Sequence, residues 1–355
     1  MTSIIETWAE RIRAAADSHL PLRIRGGDSK GFYGNSCRGG ELDTREHSGI
    51  LAYEPTELVI TARCGTALAE IEAALAERNQ MLAFEPPHFA PGQATLGGAV
   101  AAGLAGPGRL QAGPVRDFVL GAQLLDGRGR VMDFGGQVMK NVAGYDIARL
   151  LAGSLGILGV ITQLSLKVLP RPMAEATLRL DAGEGEALHL VTRWKGQPLP
   201  ISATAWLDGQ LWVRLSGAAA ALDAARRKLG GEAVEEDVAR DFWRRLRDQQ
   251  LPFFAGDAPL WRLSLPANTA PLDLGETVLE WSGGQRWLKA DLPAQGIRAA
   301  AAELGGSATL FRRVGDEGTA TFPSPAPALM QLHRNLKAQF DPAGIFNPGR
   351  FYPDL

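Results

Sequence analysis

Cysteine is almost absent from this chain of 355 residues, which contains only Cys37 and Cys64. Two thiols in unrelated contexts cannot form a disulfide framework, a structural zinc site or an iron–sulfur cluster. The five histidines include no pair at metal-ligand spacing, so we expect no metal site. We also expect both cysteines to be reduced thiols, as is usual for a cytosolic protein.

A large excess of either charge is also lacking. Lys and Arg together number 37 against 39 Asp and Glu, and the formal net charge of −2 gives no sign of nucleic acid or an acidic membrane as a partner. No apolar run reaches the length of a transmembrane helix, and Ser3 with Glu6 predicts a capping box that begins an amphipathic helix rather than a signal peptide. We expect a cytoplasmic protein without direct membrane insertion, which meets a membrane, if at all, through partner subunits.

Glycine, in contrast, is abundant, with 42 residues where the average usage of about 7 % predicts roughly 25. This excess predicts many tight turns or a backbone pressed against a ligand. Three glycine-containing segments stand out along the chain, at Arg25–Gly31, Pro91–Gly103 and Gly153–Val160. We interpret the three together as parts of one ligand site.

The segment Pro91–Gly103 reads PGQATLGGAVAAG, and the other two are organised around it. Thr95 is placed to cap a short helix with its hydroxyl. Gly97 and Gly98 then leave backbone N–H groups unpaired at the helix N-terminus, where the helix dipole favours an anion. A Gly/Ala-rich helix packed tightly against a sheet explains this segment equally well when it is taken alone.

The first glycine segment, Arg25–Gly31, follows directly after a predicted strand at Leu22–Ile24. A glycine-rich turn after a strand forms a nest of N–H groups that suits a pyrophosphate, and Arg25 and Lys30 supply positive charge. Asp28 opposes this interpretation unless its carboxylate turns outward. A solvated turn is the alternative for this segment.

Other sites that use glycine loops do not match the spacing. A nicotinamide site of the Rossmann type requires G-x-G-x-x-G between a strand and a helix, but Gly26 and Gly27 begin no predicted helix and Gly153–Gly159 precedes a strand. A Walker A loop and a nucleophile elbow are also missing. His88 follows two prolines, where a structural role is more common than a catalytic one. What remains is a site built from backbone, which suits a dinucleotide that carries its own reactivity.

The alternation of predicted helices and strands divides the chain into two α+β domains and a tail. We predict a first domain at residues 1–172 and a smaller second domain at 173–322. Within the first domain, Thr66 is expected to cap a helix that runs to about Arg78. Residues 323–355 comprise a last helix and a compact turn at Gly344–Arg350 that returns towards the first domain.

The order of these pieces resembles the FAD-binding domain of the vanillyl-alcohol-oxidase type, also called the PCMH type. Within that family, the chain is similar almost end to end to the E-type FAD-binding subunits of bacterial glycolate oxidases. The resemblance is carried by Glu54–Thr66 (EPTELVITARCGT), Phe84–Phe89 (FEPPHF), Gly136–Val160 (GQVMKNVAGYDIARLLAGSLGILGV), Gln249–Phe254 (QQLPFF), Leu260–Pro266 (LWRLSLP) and Phe340–Tyr352 (FDPAGIFNPGRFY). It implies an α+β fold, in which a two-subdomain FAD-binding domain is followed by a smaller α+β cap domain.

The resemblance implies that FAD is the cofactor and that the three glycine segments hold it. Asp28 and Ser29 stand where members with covalently attached FAD carry a histidine, so we predict noncovalent binding. The implied cofactor-binding residues are Arg25, Gly26, Gly27, Asp28, Ser29, Lys30, Thr95, Leu96, Gly97, Gly98, Gly113, Gly156, Gly159, Val160 and Asn347.

The resemblance also implies a function within a complex. Its members take part in oxidising glycolate, a small 2-hydroxy acid, to glyoxylate by hydride transfer to flavin. Their partners are a larger homologous flavoprotein subunit and an iron–sulfur subunit. Because no histidine pair is present and the cap domain is short, the alternative is a subunit that relays electrons or has a structural role without substrate turnover. A cell-wall-precursor reductase of the same superfamily fits less well, since its nicotinamide donor and its Ser or Cys proton donor have no evident place.

Three arginines are candidates for a clamp on the substrate carboxylate. Arg109, Arg262 and Arg286 each carry a guanidinium able to bind a carboxylate through two hydrogen bonds. Ordinary surface ion pairing is the competing explanation for all three. The sequence assigns no other catalytic residue.

Overall fold

A computed structural model describes residues 3–136, 146–315 and 318–355. Residues 137–145 of the Gly136–Val160 motif therefore lie outside the described residues. The helices are α1 (Ile4–Asp17), α2 (Leu68–Ala76), α3 (Leu96–Ala102), α4 (Arg109–Ala112), α5 (Ile147–Leu150), α6 (Glu184–Trp194), α7 (Ala219–Leu229), α8 (Glu236–Arg247), α9 (Ala294–Glu303) and α10 (Pro327–Phe340). The strands are β1 (Leu22–Arg25), β2 (Gly40–Asp43), β3 (Ile50–Glu54), β4 (Val59–Arg63), β5 (Gln80–Met81), β6 (Val119–Leu125), β7 (Val131–Gly135), β8 (Val160–Lys167), β9 (Leu169–Pro170), β10 (Ala174–Asp181), β11 (Ile201–Leu207), β12 (Gln210–Gly217), β13 (Glu232–Val234), β14 (Leu260–Ser264), β15 (Glu276–Glu280), β16 (Gln285–Lys289) and β17 (Ser307–Arg312).

Two small pairs and one five-stranded sheet make up the first part of the chain. The sheet has the order β3-β4-β8-β6-β7, and all of its neighbouring strands are antiparallel. Helix α2 buries Leu68, Ile71 and Leu75 against it, at the helical spacing that the sequence predicts. Beside the sheet, β1 and β2 form a short parallel pair from which the first glycine segment emerges.

An eight-stranded antiparallel sheet makes up the second part, in the order β13-β10-β12-β11-β15-β16-β14-β17. Helices α6, α7 and α9 cover one face of it, burying residues such as Val191, Leu222 and Ile297. The opposite face packs its own Val278 and Trp287 with Tyr33 and other side chains from the first part. The predicted division at residue 172 falls between the strands of the two sheets. The α+β organisation is confirmed. Helix α9 and strand β17 were not predicted from the sequence.

Thr66 does not cap α2, which corrects the sequence-based prediction. Ala67 occupies the N-cap position and makes no side-chain capping bond. The Thr66 hydroxyl instead accepts a hydrogen bond from the Gly49 N–H at 2.9 Å and donates to the Arg63 carbonyl at 2.8 Å. A threonine next to a helix is therefore used here to hold a neighbouring loop. The predicted capping box of Ser3 and Glu6, in contrast, is present at the start of α1.

The C-terminal tail returns to the first strand, as the sequence predicts. The Leu22 N–H donates to the Ile345 carbonyl at 2.7 Å, and the Asn347 N–H donates to the Leu22 carbonyl at 2.9 Å. Among the described residues, no helix combines the length and the apolar character needed to cross a bilayer. The tail thus completes the part of the fold from which the first glycine segment begins.

A buried ion pair fixes that tail. The Lys337 ammonium, near the end of α10, donates to the Ile157 carbonyl, to the Asp341 carboxylate and to the Phe346 carbonyl at 2.7–2.8 Å. Asp341 in turn accepts hydrogen bonds from the N–H groups of Ile345 and Phe346. All the polar atoms of the lysine head and of the carboxylate are thereby engaged in holding the turn against the first part of the chain.

Replacing this lysine should destabilise the protein strongly. In Lys337→Met the Asp341 carboxylate stays buried without its countercharge, which costs about 3–5 kcal/mol. We expect a clearly lower thermal midpoint by circular dichroism. Lys228→Met, which removes an exposed lysine of α7, is the control and should leave the midpoint within a degree or so, since surface changes cost about 0.5 kcal/mol or less. Equal midpoints for the two variants would show that the ion pair does not stabilise the tail.

Candidate cofactor site

A cleft of about 290 Å³ lies between the turn after β1 and helix α3, and we call it the nest cleft. Both of these elements were singled out from the sequence because of their glycines. The nest cleft is lined by Arg23, Ile24, Arg25, Gly26, Gly27, Asp28, Ser29, Lys30, Gly31, Ser36, Cys37, Thr95, Gly98, Ala101, Ala102, Leu155, Asn347 and Arg350. The fold therefore brings the first two glycine segments together, and the third contributes Leu155 to the lining.

The turn itself offers a row of free backbone donors. Within the described residues, the five successive N–H groups from Gly26 to Lys30 donate to no protein acceptor. Asp28, in the middle of the turn, has a left-handed conformation with φ of 55°. A left-handed residue inside such a turn makes successive N–H groups line one concave surface, which is a binding site for anions. These donors fit a pyrophosphate, as the sequence predicts.

Gly27 is required by the closeness of another segment. A Cβ atom at this position would lie 1.4 Å from the carbonyl oxygen of Gln93. No side chain fits there, so glycine lets the turn press against the chain that leads into α3. At Gly26, a Cβ atom would lie 2.5 Å from the Thr95 hydroxyl. The two glycine segments are thus packed directly against each other.

The charge in the nest cleft is positive. Arg23, Arg25, Lys30 and Arg350 line it together with the carboxylate of Asp28, and Arg25 also pairs with Glu41 at 2.9 Å. The Asp28 carboxylate lies 3.2 Å from Arg23 Nη2 and 3.5 Å from Arg25 Nε. Asp28 therefore remains in the lining, where two arginines offset its charge. An excess of cations around free N–H groups favours a phosphate-bearing ligand.

Arg350 was missed by the sequence analysis and holds the loop that follows the nest. Its guanidinium donates to the carbonyls of Asn35, Gly31 and Tyr33 at 3.0, 2.9 and 2.7 Å. The tail thus rigidifies this loop while placing a positive charge at the cleft. Arg23 was also missed, although it lies two residues before Arg25 on a strand and so shares its face. That alternation was the signal available in the sequence.

Asn347 lines the cleft, but both ends of its side-chain amide are engaged with protein. Its Oδ1 accepts a hydrogen bond from the Ile24 N–H at 2.8 Å, and its Nδ2 donates to the Leu155 carbonyl at 2.7 Å. It joins β1, the third glycine segment and the tail at one point. We therefore interpret it as a positioning residue of the cleft wall.

Helix α3 begins as predicted, with the Thr95 hydroxyl accepting a hydrogen bond from the Gly98 N–H at 3.3 Å. The expectation of unpaired N–H groups at this helix end is wrong, however. The Gly97 N–H donates to the Cys64 carbonyl at 2.8 Å, and the Leu96 N–H donates to the Thr66 carbonyl at 2.9 Å. The start of α3 is bonded to the chain after β4, so an anion has no free donors there.

The two glycines of α3 serve different purposes. A Cβ atom at Gly97 would lie 2.8 Å from the Cβ of Cys64, so this glycine allows close packing, the alternative that the sequence left open. Gly98 is exposed and lines the cleft, and a Cβ atom there would meet only the Thr95 hydroxyl, at 3.1 Å. Of the pair, Gly98 is the one placed against a ligand.

The remaining predicted cofactor residues do not line the cleft. Gly156 lies behind it, where a Cβ atom would be 2.7 Å from Asn347 Nδ2. Gly159 packs against the Leu125 carbonyl, and Val160 is buried in the cluster beneath α1. Gly113 ends α4, where a Cβ atom would face the Asp117 side chain. The third glycine segment thus supports the wall of the cleft and contributes Leu155 to its lining.

The contacts of the three candidate arginines show which of them could bind a carboxylate. Arg286 is completely buried, and it donates to the carbonyls of Thr269, Ala270 and Gly283, which makes it a structural residue and no candidate clamp. Arg262 donates to the Tyr33 hydroxyl at 3.1 Å, and Arg109 lies over the Trp281 ring. Burial and then the charge of Arg262 lower the pKa of Arg109. Neither of these two has a carboxylate within ion-pairing distance among the described residues, so surface ion pairing does not explain them.

His88 has a structural role in this fold. Its Nε2 lies 3.2 Å from Glu72 Oε1, and its backbone N–H donates to Asp248 at 2.8 Å. Over the described ranges, no group of three or more His, Cys, Asp or Glu side chains is placed to hold a metal ion. Chemistry at this site therefore depends on what the nest cleft binds.

Comparison with known proteins identifies the family. Residues 4–135 match the family described as FAD binding domain. The chain is 50% identical over 347 residues to glycolate oxidase subunit GlcE of Escherichia coli strain K12, which covers 98% of this chain and 97% of that protein. The chain belongs to the GlcE family of glycolate oxidase subunits. The resemblance found in the sequence is thereby confirmed.

More distant proteins share parts of the chain or only its fold. A D-lactate dehydrogenase of Archaeoglobus fulgidus is 28% identical over 225 residues, which is 59% of this chain and 49% of that protein. A solved structure of alkyldihydroxyacetonephosphate synthase superposes with a TM-score of 0.66 at 14% identity, covering 96% of this chain and 74% of its own. The second likeness concerns the fold alone, and it confirms the predicted PCMH-type architecture.

Lys30 is the group of the nest cleft from which we expect a pH dependence of ligand binding. Its ammonium lies 3.4 Å from Ser29 Oγ and 5.6 Å from the centre of the Phe89 ring, with no carboxylate at ion-pairing distance in the described part of the chain. Burial lowers the pKa of Lys30 to about 8, and the charge of Asp248 offsets this only in part. An anionic ligand in the cleft favours the charged form and raises the pKa again.

We therefore expect the affinity for FAD to be constant below about pH 8 and to fall above it, by up to about tenfold per pH unit, because the ligand then has to bring a proton with it. Titration of flavin fluorescence from about pH 7 to about pH 9.5 measures this. The matched variant Lys30→Arg stays charged throughout and should give a flat profile. A wild-type profile as flat as that of the variant would contradict the assignment.

Proposed function

We propose that this chain is the FAD-binding subunit of a glycolate oxidase complex and that it holds FAD noncovalently in the nest cleft. The observation that carries the proposal is the row of unpaired N–H groups from Gly26 to Lys30 within a cationic cleft. Membership of the GlcE family supplies the context of the complex. Bound FAD would supply a hydride acceptor for the oxidation of an alcohol.

The roles of the chain's own residues follow from their contacts. The nest would bind the pyrophosphate through its N–H groups, with Arg25 and Lys30 adding charge. Gly98 would let the cofactor lie against α3, because it has no side chain to fill that side of the cleft. Asn347 and Arg350 would hold the turn in its shape. They would not bind the ligand directly through hydrogen bonds, because their side chains are already bonded to protein groups.

Noncovalent binding is proposed because the turn carries Asp28 and Ser29 and no histidine. Cys37 is the one thiol in the lining of the nest cleft, so it is the group to be tested as an attachment point. Precipitation of the purified yellow protein with acid should leave all of the flavin in the supernatant. Flavin that remains with the pellet of the wild type, but not with that of Cys37→Ser, would mean covalent attachment instead.

The proposed partners are a larger homologous flavoprotein subunit and an iron–sulfur subunit, to which electrons from glycolate would pass. In the proposed reaction, glycolate loses a hydride from C2 and the proton of its hydroxyl and becomes glyoxylate. Two functions differ in the part that this chain takes in that step. In the first, which we favour, glycolate is oxidised at the FAD of this subunit.

The second function is an FAD carrier that relays electrons or has a structural role, with no substrate turnover of its own. One observation favours it, namely the aromatic side chains that fill the space between the nest cleft and the eight-stranded sheet. Phe32 and Phe89 lie 5.4 Å apart, Tyr33 and Phe311 5.1 Å, and Trp287 and Phe311 4.7 Å, centre to centre. Such packing leaves little room for a substrate beside the cofactor.

Anaerobic mixing of glycolate with the FAD-loaded chain, alone and with its partner subunits, separates the two functions. We expect the flavin absorbance of this subunit to bleach on mixing, because hydride transfer reduces the flavin. Bleaching of the isolated chain would establish the first function. A flavin that stays oxidised in isolation, yet is reduced when the partner subunits are added with glycolate, would establish the second.

Substitution of Gly98 tests the placement of the cofactor. In Gly98→Val a branched side chain projects into the nest cleft, so we expect the dissociation constant for FAD to rise about tenfold or more, which is about 1.4 kcal/mol or more of binding free energy. Thermal stability of the cofactor-free protein should change little, because a Cβ atom at this position meets only the Thr95 hydroxyl. Flavin fluorescence titration measures the affinity.

Two further glycines serve as controls for this substitution. Gly97→Val would drive its side chain into Cys64 and should lower the thermal midpoint directly, so it cannot report on the ligand alone. Gly296→Val changes an exposed glycine of α9 with no atom within 4 Å of its Cβ and should alter neither property. If Gly98→Val binds FAD as tightly as the wild type, the cofactor does not lie on this side of the cleft.

A further inference from the structure

Helix α10 lies almost entirely on the surface. Of its 14 residues only Lys337 and Phe340, near the C-terminal end, are buried. Leu329 and Leu332 are 47% and 63% exposed, and Leu336, one turn further on, is half-buried against the core of the five-stranded sheet. The three leucines follow the spacing i, i+3 and i+7, so they form one apolar stripe along the helix. We call them the leucine stripe.

The rest of the exposed face of α10 is nearly uncharged. The helix reads PALMQLHRNLKAQF and has no acidic residue, and because Lys337 is buried, Arg334 is the one charge that it exposes. Helices α1 and α8, of similar length, carry acids and bases along their exposed faces. Within the described ranges, α10 is also the only helix with two large exposed apolar residues. Clustered apolar residues without charges are typical of the centre of a protein–protein interface.

Aromatic contacts join the inner side of α10 to the loop that follows the nest. The ring of His333, on α10, stacks on Phe351 with 5.8 Å between ring centres, and Phe351 stacks on Phe322 at 4.9 Å. Phe322 in turn meets the ring of Tyr33 edge to face at 5.5 Å. Tyr33 belongs to the loop that Arg350 holds beside the nest cleft. A continuous series of rings therefore connects the cleft's surroundings with the helix that carries the leucine stripe.

Both ends of α10 are held firmly. Three alternating prolines, Pro323, Pro325 and Pro327, lead into the helix and restrict the backbone before it. The ion pair between Lys337 and Asp341 fixes its other end. A surface that is already ordered loses little conformational entropy when a partner binds, so the leucine stripe is prepared for docking.

We propose that the leucine stripe is the docking surface for the iron–sulfur subunit of the complex. The proposal rests on the proposed function, in which electrons from glycolate pass to that subunit. Electrons that glycolate has given to the flavin would pass one at a time to the iron–sulfur centre, which is thereby reduced, while the protons pass to water. The series of rings selects this occupant, because an electron acceptor has to dock where the surface is connected with the cofactor's surroundings.

Replacement of Leu332 by a charged residue tests the surface. In Leu332→Glu a carboxylate would be buried in the contact without a partner, so we expect the iron–sulfur subunit to bind about tenfold or more weakly. Leu20→Glu is the matched control, because Leu20 is 62% exposed and lies outside α10, and it should bind like the wild type. The affinity is measured by biolayer interferometry, with the FAD-loaded chain immobilised and the larger flavoprotein subunit present.

The fold of the variant is checked by its thermal midpoint. Leu332→Glu should keep the midpoint of the wild type, since the side chain that it replaces is exposed. If the midpoint falls, the uncharged variant Leu332→Gln takes its place, and it should also bind the iron–sulfur subunit more weakly, by a smaller factor. This measurement depends on docking alone and requires no turnover of glycolate.

Unchanged affinity for the iron–sulfur subunit in both variants of Leu332 would overturn the proposal. It would also be overturned if these variants released only the larger flavoprotein subunit, or only abolished association between copies of this chain, because the stripe would then have a different occupant. FAD binding and the bleaching of the flavin by glycolate are measured separately. If both persist in either case, the proposed function stands and only this inference falls. A wild-type chain that binds no iron–sulfur subunit would contradict the proposed partners themselves, and this inference with them.

Discussion

The nest cleft depends on the return of the C-terminal tail to the first strand. Asn347 binds the Ile24 N–H with its oxygen and the Leu155 carbonyl with its nitrogen, so a single amide joins three segments that are far apart in sequence. The Lys337–Asp341 ion pair holds the turn that carries this asparagine. Backbone N–H groups bind an anion well only if their directions are fixed beforehand, because ordering a loop on binding costs free energy. The contacts of the tail hold the turn and its N–H groups in place before a ligand binds.

A site built from backbone also explains why glycine dominates it. Side chains would occupy the positions where two segments meet, as the 1.4 Å approach at Gly27 shows. The N–H groups of the turn are the specific part of the site, and the surrounding arginines and Lys30 supply attraction that is less directional. This division has a consequence for the chain's chemistry. In the proposed function, the protein would orient the cofactor and surround it with positive charge, and the cofactor would supply the reactivity.

The inward face of the second sheet meets the loop that follows the nest, where Arg262 donates to the Tyr33 hydroxyl. This inward face is mostly apolar and aromatic, and Arg262, Glu280 and Gln285 are polar side chains within it. Arg262 and Glu280 come from β14 and β15, on either side of β16, and both face the first part of the chain, whereas Arg286 of β16 points to the opposite side and donates to backbone carbonyls. Alternation along a strand therefore decides which arginine faces the first part of the chain and which serves the fold.

The sequence by itself determined the α+β class, the capped start of α3 and the glycine turn at Gly26–Lys30. These features are local, since a threonine cap, a glycine turn and a strand each follow from a few neighbouring residues. It also identified the family, through the order of its segments. What it could not determine is how distant segments share hydrogen-bond donors and acceptors. Gly97 looked free because its acceptor, the Cys64 carbonyl, lies more than thirty residues away in sequence.

Only the tertiary structure decided which glycines face the cleft, that Arg350 and Asn347 shape it, and that Arg286 is buried and bonded to backbone carbonyls. The physical reason is that a polar group's availability depends on every neighbour within hydrogen-bonding distance, and most of those neighbours here come from remote parts of the chain. Residue type and spacing therefore indicate what a group is able to do. Packing decides whether the group is left free to do it.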